Sequence, residues 1–98
     1  MPVSKKYLLD KKKEILIGHA PDNDIRLKKF GMISGHHAKI EYVSNRWLLR
    51  NLGQNGTYLN GQRLEDWKML EYGDVIEFFG VRIIYLGDMI AILDPGER

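Results

Sequence analysis

Apolar residues in this chain recur at every second position, in short runs, and nowhere at the 3.6-residue interval that would give a helix one apolar face. Ala38, Ile40 and Tyr42 alternate with Lys39, Glu41 and Val43, and Ser44-Asn45 then turns the chain into Arg46-Trp47-Leu48-Leu49-Arg50. That is the pattern of a half-buried hairpin. Tyr7 to Leu9 and Glu14 to Ile17 flank Asp10-Lys-Lys-Lys and read as another hairpin, and the turn cluster Ala20-Pro-Asp-Asn-Asp24 precedes a short Ile25 to Leu27 strand. Phe30 to His36 reads as a loop. Gly53-Gln54-Asn55-Gly56 and Asn60-Gly61 bracket Thr57-Tyr58-Leu59, while Gly73-Asp74 and Gly80 punctuate strands at Val75 to Phe79, Arg82 to Leu86 and Met89 to Leu93. Only Leu64 to Leu70 could hold a helical turn. About ten short strands without crossover helices predict an all-β fold, a two-sheet antiparallel β-sandwich.

The 98 residues are enough for one domain, 1–98, and a core is expected from 44% hydrophobic against 29% charged residues. A chain of this size removes roughly two thirds of its unfolded surface from water. It needs no cross-link, and it has no cysteine for a disulfide or a thiolate zinc site. That composition points to an intracellular location. Arg82 and Asp88 break the most apolar stretch, so no membrane span is expected, and Met-Pro-Val-Ser-Lys-Lys opens no apolar run of signal-peptide length, so secretion is not expected. Asn55-Gly56-Thr57 matches a glycosylation acceptor, which would be idle without secretion. Gly87 to Arg98 reads as a lead toward a further domain, which makes the chain a module excised from a larger one.

The net charge of +2 conceals an asymmetry: residues 1–39 carry nine Lys or Arg against four acids, residues 40–98 six against nine. Lys5, Lys6, Lys11, Lys12 and Lys13 supply most of the excess. Lysines on a sheet edge deter strand-to-strand aggregation, and that reading is preferred to binding nucleic acid or anionic headgroups.

Catalytic chemistry finds little to work with. There is no phosphate loop ending in Lys-Ser/Thr, no Gly-x-Ser-x-Gly turn and no thiol nucleophile. Ser34 beside His36 and His37 lacks the geometry and the orienting acid of a triad. His19, His36 and His37 could share a metal only if two loops converged, with no carboxylate pattern to help, so neither metal nor cofactor is expected. Trp47, Tyr42, Phe78 and Tyr85 fall in alternating strands and are assigned to the core or sheet faces. Trp67 and Tyr72, among Glu65, Asp66 and Glu71, are candidates for exposed contacts.

The remaining polar features sit in three loops: Gly18 to Asp24, Gly31 to His37 and Gly53 to Thr57. The ordered text Gly18-His19, Asp24-Ile25, Ser34-Gly35-His36-His37-Ala38-Lys39-Ile40, Trp47-Leu48-Leu49-Arg50-Asn51-Leu52, Gln54-Asn55-Gly56-Thr57-Tyr58-Leu59-Asn60-Gly61 and Leu70-Glu71-Tyr72-Gly73-Asp74 resembles the forkhead-associated (FHA) domain over about residues 14–87. The resemblance implies a sandwich of eleven or so strands whose loops at one end bind phosphothreonine peptides. It implies that Ser34 binds phosphate and Asn55 the peptide backbone, that His37, Gly56 and Thr57 fix the loops, and that Gly18 and Gly73 serve turns.

Three positions depart from the family pattern. His19 stands where a phosphate-binding Arg is expected, Gly35 where Arg or Asn is usual, and Gln54 where Ser or Thr often adds a hydroxyl. An ordinary imidazole is mostly neutral above about pH 7 and cannot reproduce a permanent guanidinium fork. If each charged hydrogen bond contributes about 1.5–3 kcal/mol, losing two weakens binding by on the order of a hundredfold or more. The expected function is therefore a non-catalytic protein-interaction module that is phosphate-independent, with a phosphothreonine reader of altered pocket as the alternative. The tail Gly80 to Pro95 and the degenerate phosphate positions resemble the FHA modules at the N-terminus of the FtsK-like ATPases of Gram-positive type VII secretion. That likeness implies a neighbouring FHA domain or a secretion subunit as partner, and a cytoplasmic location, with the cytosolic part of a membrane-anchored protein as the alternative.

Overall fold

In a computed structural model, residues 3–27 and 33–94 are described. Eleven strands run β1 Val3–Leu8, β2 Ile15–Gly18, β3 Ile25–Arg26, β4 Ala38–Val43, β5 Arg46–Asn51, β6 Tyr58–Leu59, β7 Gln62–Arg63, β8 Trp67–Met69, β9 Val75–Phe78, β10 Val81–Tyr85 and β11 Met89–Asp94. One sheet has the order β1-β11-β10-β9-β6-β7 and the other β3-β2-β4-β5-β8. All pairs are antiparallel except β2 with β3, which is parallel. Part of the expected Phe30 to His36 loop lies outside the described residues.

Alternation decides which face turns inward. Ile15 and Ile17, Ala38 and Ile40, Trp47 and Leu49, Ile76 and Phe78, Val81 and Ile83, Ile90 and Ile92 are all buried between the sheets. Trp47, Phe78 and Tyr85 are buried and Tyr42 packs against the cluster. The outer face of the second sheet carries a chain of charges instead: Lys39 lies 3.0 Å from Glu14 and 3.5 Å from Glu41, and Arg50 lies 3.7 Å from Glu41 and 3.5 Å from Asp66.

Two expectations are corrected. Tyr7 to Leu9 and Glu14 to Ile17 do not form a hairpin: β1 pairs with β11, while β2 lies in the other sheet against β3 and β4. The Asp10 turn is present, with Lys12 N donating to Asp10 Oδ1 at 2.9 Å and Lys13 N to the Asp10 carbonyl at 3.2 Å. Turn chemistry reverses the chain without choosing its partner, and six residues of register with β11 are available to β1. Leu64 to Leu70 holds no helical turn: it bends at Glu65 and Asp66 and enters β8, with Asn51 N donating to the Asp66 carbonyl and Leu70 N to the Trp47 carbonyl along β5, and with Leu64 and Leu70 buried.

Candidate functional site: the loop end of the sandwich

β2 ends at Gly18, β4 begins at Ala38 and β5 ends at Asn51, so the loops that follow or precede them gather at one end of the sandwich. Backbone bonds lace the first two together. His19 N donates to the Ser34 carbonyl at 3.1 Å and Ala20 N to the Gly35 carbonyl at 3.0 Å, while Asn23 Nδ2 donates to the carbonyls of Ala20 and Gly35, both at 2.7 Å. Gly18 makes that approach possible: a Cβ there would lie 2.1 Å from the Gly35 carbonyl oxygen.

His37 ties the second loop to the third from inside. Its imidazole is fully buried, stacked on Phe78 with ring centroids 4.4 Å apart and planes 16° from parallel. Nδ1 accepts from Ser34 N at 3.1 Å and Nε2 donates to the Gly56 carbonyl at 2.8 Å. An amide can only donate and a carbonyl only accept, which fixes the neutral Nε2–H tautomer. Burial pushes the imidazole below its ordinary 6.5, with the Gly56 carbonyl pulling the other way. The His37 carbonyl also accepts from both Leu52 N and Gly53 N at 2.9 Å.

Inside the third loop, Thr57 is fully buried and its Oγ1 donates to Asn51 Oδ1 at 2.8 Å. Asn51 also accepts from Gly53 N at 3.2 Å and donates to the Gly53 carbonyl at 3.1 Å. Gly56 turns the chain at φ +85°, and Gly73, at φ +92°, serves the turn before β9 at the far end. Asn51 and Asn23 were not singled out as site residues from the sequence. For Asn51 the signal was there, since it lies in the Trp47-Leu48-Leu49-Arg50-Asn51-Leu52 text that carries the family resemblance.

At the crest, Gln54 and Asn55 are exposed, as is Gly35, where an added Cβ would meet only Ala20 Cβ at 3.6 Å. Gln54 N donates to Ser34 Oγ over a long 3.4 Å. The His19 ring is turned inward, its Nδ1 3.1 Å from the Leu27 carbonyl. A carbonyl is an acceptor, so Nδ1 carries the proton, and in the neutral ring Nε2 is left as a lone-pair acceptor. His36 pairs with Asp22 at 2.9 Å, and that hydrogen bond holds the Asp22 carboxyl below its usual 3.8. The three histidines thus have separate partners. Among the described residues no three His, Asp or Glu side chains group as metal ligands, and no helix is long and apolar enough to cross a membrane. Beside the crest, burial pushes the Asp24 carboxyl up, but the Leu16 amide at 2.9 Å and the Lys13 ammonium hold it below its usual value.

The FHA domain family model matches residues 15–79. Comparison with curated protein sequences gives no match. Among solved structures, the chain is similar to the N-terminal FHA domain of EssC, a component of the bacterial type VII secretion apparatus (20% identity, TM-score 0.78, 96% of this chain). It spans 47% of that chain's length. It is also similar to the N-terminal FHA domain of Rad53p from S. cerevisiae, solved in complex with a phosphothreonine peptide (28% identity, TM-score 0.64, 84% of this chain and 66% of that one). A third is the FhaA FHA domain complexed with the intracellular domain of Rv3910 (28% identity, TM-score 0.65, 90% of this chain and 86% of that one). With the family model covering residues 15–79 and the loops gathered at one end of an eleven-stranded sandwich, the chain belongs to the FHA domain family of protein- and phosphopeptide-interaction modules.

Proposed function

We propose that the domain is a non-catalytic docking module whose loop crest holds a protein partner without phosphate. His19, Ser34, Gly35, Gln54 and Asn55 form the contact surface, Gly18, His37, Gly56 and Thr57 hold the loops that present it, and Gly73 serves a turn at the far end of the sandwich. The observation that carries this reading is the His19 ring: its Nδ1 is committed to the Leu27 carbonyl, so a neutral ring offers a phosphate a lone pair instead of a donor. A guanidinium in its place would supply a permanent charge and a fork. His19→Arg combined with Gln54→Ser should therefore create phosphothreonine-dependent binding at pH 7.5, about tenfold or more above the unmodified domain. No gain in the double variant contradicts the reading of the crest as a phosphate site that has lost its anchor.

The same reading makes the chain a cytoplasmic module, residues 1–98, of a larger type VII secretion ATPase that docks a neighbouring FHA domain or secretion subunit. Fold similarity to the EssC domain over 96% of the chain supports this. The FhaA FHA domain, complexed with the intracellular domain of Rv3910, is a relative with a protein domain as its partner. One feature favours the alternative of a phosphothreonine reader: the Ser34 hydroxyl is retained beside the Gln54 amide, in a fold shared with the phosphothreonine-bound Rad53p domain.

A further inference from the structure

Two arginines outside the family's phosphate positions flank the crest. Arg26, at the end of β3, is exposed and its Nε donates to the His19 carbonyl at 3.1 Å, which brings a guanidinium to the backbone of the residue where the family's arginine is missing. Arg63, on β7, comes from the other sheet. Its guanidinium lies over Gly56, with Cζ 3.1 Å and Nε and Nη2 3.2 Å from where a Cβ on that glycine would stand. Between them run His19 N to the Ser34 carbonyl and Gln54 N to Ser34 Oγ, so both cations border one continuous surface. Neither guanidinium is ion-paired to a described residue. The nearby acids are taken: Asp22 by His36, and Asp24 by Lys13 and the Leu16 amide.

We propose that Arg26 and Arg63 bracket the crest and select an unphosphorylated partner segment carrying Asp or Glu side chains. A carboxylate matches the guanidinium fork with a single negative charge, and an arginine at either border can accept it without the dense set of donors that a phosphate dianion requires. Gly56 has a role here beyond its turn, because the missing side chain leaves the guanidinium room against the loop backbone. This inference rests on the docking reading and names the partner's chemistry.

The test uses three synthetic peptides of one sequence frame: one rich in Asp and Glu, its Asn and Gln counterpart, and one with phosphothreonine. Each is titrated into the 15N-labelled domain while backbone amides and the arginine Nε–H signals are followed. The acidic peptide should shift Gly35, Gln54 and Asn55 amides and the side-chain signals of Arg26 and Arg63, and the amide counterpart should not. Arg26→Gln and Arg63→Gln, both at exposed positions, should each weaken the acidic peptide by about fivefold, and added salt should weaken it further. Equal binding by the variants, with the crest amides still shifting, overturns the bracket and leaves loop docking standing. Shifts confined to the Lys5 to Lys13 segment overturn it by placing the acid elsewhere, and so does an acidic peptide that does not bind. Binding by the phosphothreonine peptide alone overturns both the bracket and the docking reading.

Discussion

Between pH 7.5 and about pH 5, the stability of this domain should follow His37. An unfolded histidine takes up its proton near 6.5, whereas burial holds the folded imidazole below that value, so the unfolded state binds more protons in this window. The stabilisation is complete above 6.5 and is lost as pH falls toward the folded value, by up to about 1.4 kcal/mol per pH unit. Asp22 and Asp24, held below 3.8, add their losses only at lower pH. The melting temperature should therefore drop from pH 7.5 to pH 5, and the His37 ring should titrate below 6.5 by NMR; a flat profile contradicts the buried neutral tautomer. Gly18→Ala should cost more than about 2 kcal/mol in denaturant unfolding, because its Cβ would stand 2.1 Å from a backbone oxygen that cannot swing aside. Gly56→Ala meets a flexible guanidinium and a positive φ, and about 1 kcal/mol is expected. If Gly56→Ala proves the costlier, the loops are not laced as described. The Ser34-x-x-His37 spacing is visible in the sequence, but the bond from His37 to Gly56, nineteen residues on, depends on tertiary packing.

At the scale of elements, the β4–β5 hairpin was fully legible. Its register, Ala38 with Asn51 through Val43 with Arg46, follows from the alternation along β4 and a two-residue turn. Ser44 and Asn45 both have positive φ, 53° and 65°, the mirror-image turn that matches strand twist. Asn tolerates that conformation and a β-branched residue does not, so Asn45→Val should lower stability by about 1–2 kcal/mol while Asn45→Gly should not lower it. Equal melting temperatures for the two variants would contradict this turn. β8 was hidden because three residues, Trp67 to Met69, are too few to show alternation, and they are held by β5 next door. The β1–β2 connection was misread for a related reason: the Asp10 turn is local, whereas the choice of β11 as partner is not. Arg26 and Arg63 gave no signal, since only the fold brings β3 and β7 to opposite borders of one crest.

For the whole molecule, period-2 alternation, dense turn text and the absence of any helical period were enough to predict a two-sheet sandwich, because one face of every long strand must be covered. The parallel β2–β3 pair was beyond reach, resting as it does on two residues. Far-ultraviolet circular dichroism should show β structure with little helix; more than about a quarter helix contradicts the fold. The loop end of that sandwich keeps the family's scaffolding while the His19 imidazole is drawn back to Leu27. The most direct measurement is calorimetric titration of the unmodified domain with matched phosphothreonine and threonine peptides at pH 7.5. Phosphorylation should bring no gain in affinity, and tight binding that appears only with the phosphate would contradict a phosphate-independent crest.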